Sequence, residues 1–368
     1  MGFTAQRSSA IFSGMKASGL VMEYEARKHS TPFNRKAWTT PTFWTATPSL
    51  VKLWDSMGLM PEWYKRGAAA ERIIHVRNPK TKRPLPQGRL GKDEQEHGRR
   101  IQKVNQLLWI NPVTFDIAAI RQAPVAVQEA FDHLGRKELD RTRTTLFRSF
   151  SGDKQHGGRF FGHRLQDFPK ALRRGEYVRF GGEPIAELDF KSFNVSLLYA
   201  LKGLDIPPPS FDPYTWDGCP VERQTVKRLV NTALNCNTRH STILATRSEL
   251  QKTKRYSSLS GQNYSVYDNA ADDTPYAVLE ECLDKALSNL PNEVQEFFFT
   301  GFGTRAMWYE SEIAFKVMDK MVSDGLPIIP IHDGFVCQER HKDQLWEHMK
   351  ASSAEVLNGA VITVQIAA

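Results

Sequence analysis

His332 and Asp333 sit in the apolar run PIIPIHDGFVCQ, residues 327–338, where both fall at the apex of an expected hairpin. An acidic group handed to a hairpin tip can hold a divalent cation when a second carboxylate arrives from a neighbouring strand. The segment IAELDFKSFNVSLLYAL supplies one: apolar residues lead up to Asp189 and a helical pattern follows it. Two such aspartates suit phosphoryl transfer on two divalent metals. Each also has a plain structural use. Asp-Gly is a strong two-residue hairpin signal, which Asp333-Gly334 satisfies without a metal. Asp189, with Ser192, can cap the helix that follows.

A third group lies in ERQTVKRLVNTALNCNTR, residues 222–239. Arg223 and Lys227 share a helix face, Asn231 and Asn235 continue it, and Leu229, Val230, Ala233 and Leu234 supply the apolar side. Such a helix can grip a triphosphate or present a solvated basic face. In GDKQHGGRFFG, residues 152–162, glycines flank His156 and Arg159; they permit close backbone approach to a ligand, or form a turn before a strand. GFGTRA, residues 301–306, matches a loose dinucleotide pattern but lacks that motif's other features. It reads as the turn that starts a helix over Trp308 to Val322, with Glu310 and Glu312 expected on its exposed side, within possible reach of metals.

The elements that must position these residues need a substantial core, and 368 residues provide one. The hairpin flanks are apolar on both sides, so its tip belongs to a buried, central hairpin. Residues 101–150 carry apolar positions at helical spacing, in IQKVNQLLWINP and VAVQEAFDHL, and read as helices that can wall a groove. Residues 77–103 hold Arg77, Lys80, Lys82, Arg83, Arg89, Lys92, Arg99, Arg100 and Lys103 among prolines and glycines. They read as a mobile basic loop entering a helix, either neutralising phosphates or serving as a solvated linker. Ahead of them, Trp38, Phe43, Trp44, Trp54, Trp63 and Tyr64 crowd a poorly periodic stretch: a small packed unit, or a surface on which bases stack.

Composition narrows the partners. Lys plus Arg number 49 against 41 Asp plus Glu, a net charge of +8 that favours a polyanion. The four cysteines, Cys219, Cys236, Cys282 and Cys337, are too scattered for a zinc ribbon and too few for a disulfide framework, which points to a reducing, cytoplasmic setting. No apolar run reaches the roughly 18 residues of a membrane span. The opening AIFSGMKASGLVM is short and broken by Lys16, so neither secretion nor membrane anchoring is expected, although the acid-free start mimics a transit peptide.

LDFKSFN, the Arg223-to-Lys227 helix and IPIHDGFV, in this order and spacing, resemble the motifs of family A DNA polymerases and the related phage-type single-subunit RNA polymerases. The resemblance covers about residues 150–368, and GGRF at 157–160 resembles a glycine-arginine element that touches primer and template. It implies an α+β right-hand architecture with an antiparallel-sheet palm, helical fingers and a small helical thumb. The expected division is 1–76 for the aromatic-rich N-terminal region and 77–150 for the basic loop and thumb-like helices. Residues 151–204 would be the first part of the palm, 205–290 the fingers, and 291–368 the second part of the palm with the catalytic hairpin.

The resemblance also implies roles. Asp189, the Phe190 carbonyl and Asp333 would hold two Mg²⁺ ions, with Mn²⁺ as a substitute, and His332 would position the primer end. Arg223 and Lys227 would bind the triphosphate, with Asn194, Asn231 and Asn235 beside the nucleotide. Arg159, His156, Arg99, Arg100 and Lys103 would contact nucleic acid. Partners would be a DNA template and primer, dNTPs or NTPs, and a replication accessory protein. Three positions depart from the family. Asn194 stands where the DNA polymerases carry a Glu that excludes the ribose 2′-hydroxyl, Asn235 stands where an aromatic residue is expected, and Gly334 replaces a third acid. Sugar preference is therefore open. The expected activity is a template-directed DNA polymerase without proofreading, able to prime and relaxed towards sugar, in a phage, plasmid or mobile element. The alternatives are a primase or RNA polymerase using NTPs, a two-metal nuclease, or an inactive nucleic-acid-binding replication protein.

Overall fold

In this computed structural model the described residues are chiefly 73–86, 91–125, 144–173, 176–259 and 274–367, with four short strands and a few neighbouring residues in the first 72. The chain divides into two compact units, Met1–Arg72 and Ile73–Ala368. In the first, strands β1 (Val21–Tyr24) and β4 (Phe43–Ala46) pair antiparallel, as do β2 (Lys28–Thr31) and β3 (Asn34–Thr39). The aromatic side chains expected to pack there lie outside the described residues.

The second unit is mixed α+β. Three strands form one small sheet: β5 (Ile74–Arg77) runs parallel to β7 (Phe147–Ser151), which pairs antiparallel with β8 (Asp153–Phe161). The larger, six-stranded sheet is antiparallel throughout. It contains β6 (Val113–Phe115), β9 (Val178–Phe180), β10 (Glu183–Phe190), β11 (Ile329–Ile331), β12 (Gly334–Gln338) and β13 (Val364–Ile366). Its order is β11-β12-β10-β9-β6, with β13 pairing the far end of β10.

Pattern and burial explain the layout. β12 is buried at all five positions, as a central strand covered on both faces must be. β11 is a short outer strand, where Pro330 removes no interior ladder bond. Along β10, Ala186, Leu188 and Phe190 point into the core, so strand alternation turns Ile185, Glu187 and Asp189 to the opposite face.

Among the described residues seven longer helices complete the unit: α1 (Lys92–Ile110), α2 (Phe193–Leu201), α3 (Arg223–Asn235), α4 (Arg239–Leu259), α5 (Tyr276–Ser288), α6 (Gly303–Ser323) and α7 (Lys342–Val356). α6 lies against β8, α1 and α7 in one apolar core that includes Leu188, Phe335 and Val336. A second core gathers Leu198 of α2 with Val226, Leu229 and Val230 of α3 and Leu279 and Leu283 of α5.

Two sequence readings change here. The basic run is not a loose loop at its start: Asn78 accepts from the backbone of Lys80 and Thr81, and Leu85 N–H donates to Val76 O at 2.8 Å, folding residues 78–85 back on β5. The run read as helical beyond residue 110 is interrupted by β6, after which a short helix, Ile117–Gln122, follows with Asp116 as its cap. No helix among the described residues is long and apolar enough to cross a membrane.

Candidate active site

The β11–β12 hairpin turns on His332 and Asp333, because Ile331 pairs with Gly334. The two-residue loop is thus His-Asp rather than Asp-Gly. His332 takes the left-handed conformation, φ 53°, in which a non-glycine residue is strained. Gly334 pairs directly with Asp189 on β10, and Phe190 N–H donates to Asp333 O at 3.2 Å. Backbone bonds therefore fix the two aspartates at neighbouring positions on adjacent strands.

Gly334 is needed there. A Cβ at this position would lie 2.8 Å from Leu188 O and 3.1 Å from Asp189 Cβ. No side chain fits without displacing the first aspartate, so a third acid cannot come from position 334.

Asp189 does not cap α2. Ser192 occupies the cap position with φ 47° and makes no side-chain cap bond. Asp189 Oδ1 is buried and bonds to none of the described residues. Burial pushes its carboxyl above the ordinary range; a Gln365 hydrogen bond opposes this, and the Asp333 and Glu187 charges add to it. Glu187, on the same face, is held by Arg173 through two 3.0 Å hydrogen bonds.

A third carboxylate stands beside the hairpin. Glu310 on α6 is buried, 4% exposed, and binds Arg159 of β8 through both oxygens, at 2.7 Å and 2.6 Å. Burial raises the Glu310 carboxyl, Arg159 pulls it down, and Asp333 raises it further. Burial alone would lower the Arg159 guanidinium, but Glu310 overcomes it and Asp333 adds to the rise. The expectation of an exposed Glu310 is thus corrected. Its neighbours on the helical stripe, Ala306, Ile313, Ala314 and Val317, are all buried, and that spacing already placed Glu310 among them.

Arg159 is aimed from below. Gly157 and Gly158, both at positive φ, kink β8 rather than forming its turn, and a Cβ on Gly158 would sit 2.5 Å from Ser311 Oγ. Fully buried Arg148 donates to Gly158 O at 2.8 Å, to Ser311 Oγ at 2.7 Å and to Glu312 at 2.7 Å. It lies near the rings of Phe150, Phe160 and Phe315. His332 is exposed at the tip, yet desolvation first, then Arg159, hold its imidazole below the ordinary range against the pull of Asp333.

On α3, Arg223 and Lys227 fall one turn apart, as expected. Arg223 is not free: Nε donates to Asp212 at 2.5 Å, and the guanidinium lies 5.4 Å from the ring centre of buried Tyr214. An exposed pair of this kind is worth only about 0–1 kcal/mol, so a phosphate can displace Asp212. Burial pushes the Tyr214 phenol above its usual range, Arg223 opposes, and Asp212 and Asp333 contribute to the rise. No sequence signal marked Tyr214.

No family model matches the sequence, and no curated protein matches it. Among solved structures, the POL domain of Pol1 from M. smegmatis, in complex with DNA primer-template and dNTP, is similar at 14% identity and a TM-score of 0.30. The match covers 66% of this chain and 49% of that one, so the chain matches about half that structure's length.

The remaining predicted residues fall in several places. Asn194 Nδ2 donates to Asn231 Oδ1 at 2.9 Å, which links α2 to α3, and Asn235 Nδ2 donates to Asn231 O at 2.9 Å within α3. Asn235 also lies over Gly303 of α6, where a Cβ would come 2.1 Å from Asn235 Oδ1. His156 pairs with Asp153 at 2.7 Å, at the turn end of β8. Arg99 and Arg100 are on helix α1, not a loop; both bind Glu96, and Arg100 also binds Asp319 of α6 at 2.7 Å. Lys103 is exposed on α1.

Proposed function

We propose that the chain is a template-directed nucleotidyltransferase that extends a primer on DNA. The reading rests on Asp189 and Asp333, held side by side by the β10–β12 ladder, with a buried Asp189 oxygen lacking a partner. An unpaired carboxylate oxygen in an apolar sheet costs about 1–3 kcal/mol, which a bound cation would offset. The same two residues anchor the family A resemblance, and the Arg223 helix lies in the intervening chain as that resemblance requires.

The donor set suits Mg²⁺. Among the described residues no three His, Cys, Asp or Glu converge as a closed cage. Mg²⁺ is commonly held by one or two carboxylates, with substrate phosphates and waters completing the octahedron. Asp189 and Asp333 would be those carboxylates, with the Phe190 carbonyl as a further donor. When bound, the metals would lower the charge on the reacting phosphate and assist loss of the 3′-hydroxyl proton.

The chain's own residues supply position. Arg223 would exchange Asp212 for a phosphate and, with Lys227, hold the β and γ groups by charge-assisted bonds. Arg159, fixed by Glu310, and His332 at the tip would set the primer end. The primer 3′-oxygen then bonds to the α-phosphorus in line as the bond to the β-phosphate oxygen breaks, and pyrophosphate leaves. Asn194, bonded to Asn231, offers a small amide group where a gating carboxylate would otherwise stand, so NTPs and dNTPs would both enter. In this reading residues 151–204 and 291–368 form the palm, 205–290 the fingers, and 77–150 a thumb-like region. De novo priming and work with a replication accessory protein extend the same reading.

A labelled primer on a longer DNA template, incubated with Mg²⁺ and with dNTPs and NTPs in parallel, tests it. Stepwise growth with both sugars is expected. Shortening of the strand without added nucleotides would assign a nuclease instead, and binding without either change would leave an inactive adaptor.

A further inference from the structure

The arginine of GFGTRA, residues 301–306, has no part in the proposed reaction, yet it is both stacked and clamped. Arg305 lies in the first turn of α6, with its guanidinium carbon 4.2 Å from the ring centre of Trp308 and 5.4 Å from that of Tyr309. The two rings meet edge to face, their centres 4.9 Å apart and their planes at 77°. Both are partly buried against the core that includes Leu188, so the stack has a rigid base. From β8, Gln155 O and Gln155 Oε1 each accept a hydrogen bond from Arg305 Nη1 at 3.1 Å.

The other donors of Arg305 are idle. Nε and Nη2 bond to none of the described residues, and among them the guanidinium has no ion-pair partner; Asp153 acts on it only through space. Arg305 is half-exposed, with one face over Trp308 and unused donors at its edge. A clamp between β8 and α6 needs only the Gln155 bonds. A guanidinium supported on an indole is also a surface on which a nucleobase stacks.

We propose that Arg305, supported by Trp308, is a stacking site for an unpaired base of a single-stranded nucleic acid. The base lies on the guanidinium face turned away from Trp308, and Nε and Nη2 serve the adjoining phosphate.

The surroundings favour a strand over an isolated nucleoside. Lys154 and His156 flank Gln155 in β8, and Arg159 lies further along the same strand. Lys154 pairs with Glu94 and His156 with Asp153, exposed contacts worth little enough for a phosphate to replace. A sugar-phosphate backbone crossing β8 meets these cations, whereas a free nucleoside uses none of them. From Arg305 to Glu310 is about 7.5 Å along the α6 axis, which sets the stack close to the Arg159–Glu310 pair. Stacking needs no metal, nucleotide or reaction, so the site stands or falls independently of primer extension.

The test measures binding of the full chain, in EDTA and without nucleotides, to two labelled single strands of equal length by fluorescence anisotropy. One strand is an oligothymidylate and the other its abasic counterpart. Wild type should favour the thymidylate by about tenfold, within what one stacked base supplies. Arg305→Lys keeps the charge and loses the plane, so it should bind the abasic strand as wild type does and lose most of the preference for bases. Trp308→Leu should reduce the same preference and leave the salt dependence of binding unchanged, since no phosphate contact is removed. Gln155→Ala, which unclamps the guanidinium without touching the stack, should lower the preference in part. Binding of the abasic strand reports in each case that the variant is folded. The proposal is overturned if wild type binds neither strand, if it binds both equally, or if the variants keep the full preference. Displacement of the strand by thymidine at the same concentration of bases would overturn it as well, by marking a pocket for free nucleosides.

Discussion

Arg159 grips Glu310 with two parallel hydrogen bonds, Nε to Oε1 at 2.7 Å and Nη2 to Oε2 at 2.6 Å, joining strand β8 to helix α6 beside the Asp333 hairpin. Glu310 is almost wholly buried, so the pair is worth keeping only while both halves are present. Arg159→Ala should cost about 3–5 kcal/mol, because it strands a buried carboxylate. Glu310→Gln, which keeps one hydrogen bond to the guanidinium, should cost less. Urea unfolding of both variants reads the difference; equal losses would show that the charge pairing is unimportant.

Asp189 should weaken the fold it serves. Its folded carboxyl lies above the ordinary value of 3.8, so the native state holds that proton more tightly than the unfolded chain does. Its contribution to stability is present below the unfolded value and lost as pH rises through the raised folded one. Asp189→Asn should therefore match wild type in acid and exceed it at pH 7, by up to about 1 kcal/mol. Denaturation of both proteins at a series of pH values checks this, and a variant no more stable than wild type at pH 7 would contradict it.

Gly334→Ala places a methyl within 2.8 Å of Leu188 O and 3.1 Å of Asp189 Cβ. Overpacking should cost about 1–3 kcal/mol. Activity should fall further than the folded fraction does, since Asp189 is the group displaced. Paired circular dichroism and extension rates separate the two effects.

Arg148→Met removes three donated hydrogen bonds from a fully buried guanidinium and lets the Gly157-Gly158 kink relax. A loss of about 3 kcal/mol is expected in chemical unfolding, since Glu312 loses its partner. Weaker primer-template binding should accompany it, because Arg159 follows the kink; unchanged binding in the folded variant would detach Arg148 from the site.

Much of the candidate site was legible because its signals are local. Alternation along β10 and the apolar flanks of the hairpin depend on neighbours in sequence, and they placed Asp189, His332 and Asp333 on the right elements. The Arg223 to Lys227 spacing is likewise a property of one helix. What stayed hidden depends on contacts between distant segments. Arg159 meets Glu310 across 151 residues and Arg148 meets Ser311 across 163, and no local pattern encodes either. The bend in residues 78–85 was missed because its charges suggested a loop, while Asn78 closes it through side-chain bonds. Position 334 was read as a missing acid; the close approach of Asp189 shows why only glycine fits.

The central claim is that Asp189 and Asp333 together carry nucleotidyl transfer, and a primer-extension assay on Asp333→Asn tests it most directly. The exchange keeps the shape of the hairpin tip and removes one charge. Wild-type protein should extend a labelled primer with Mg²⁺, and the variant should bind the same primer-template equally well yet extend it at least ~10³-fold more slowly, a loss of several kcal/mol of charge stabilisation. Extension by Asp333→Asn at the wild-type rate would contradict the account.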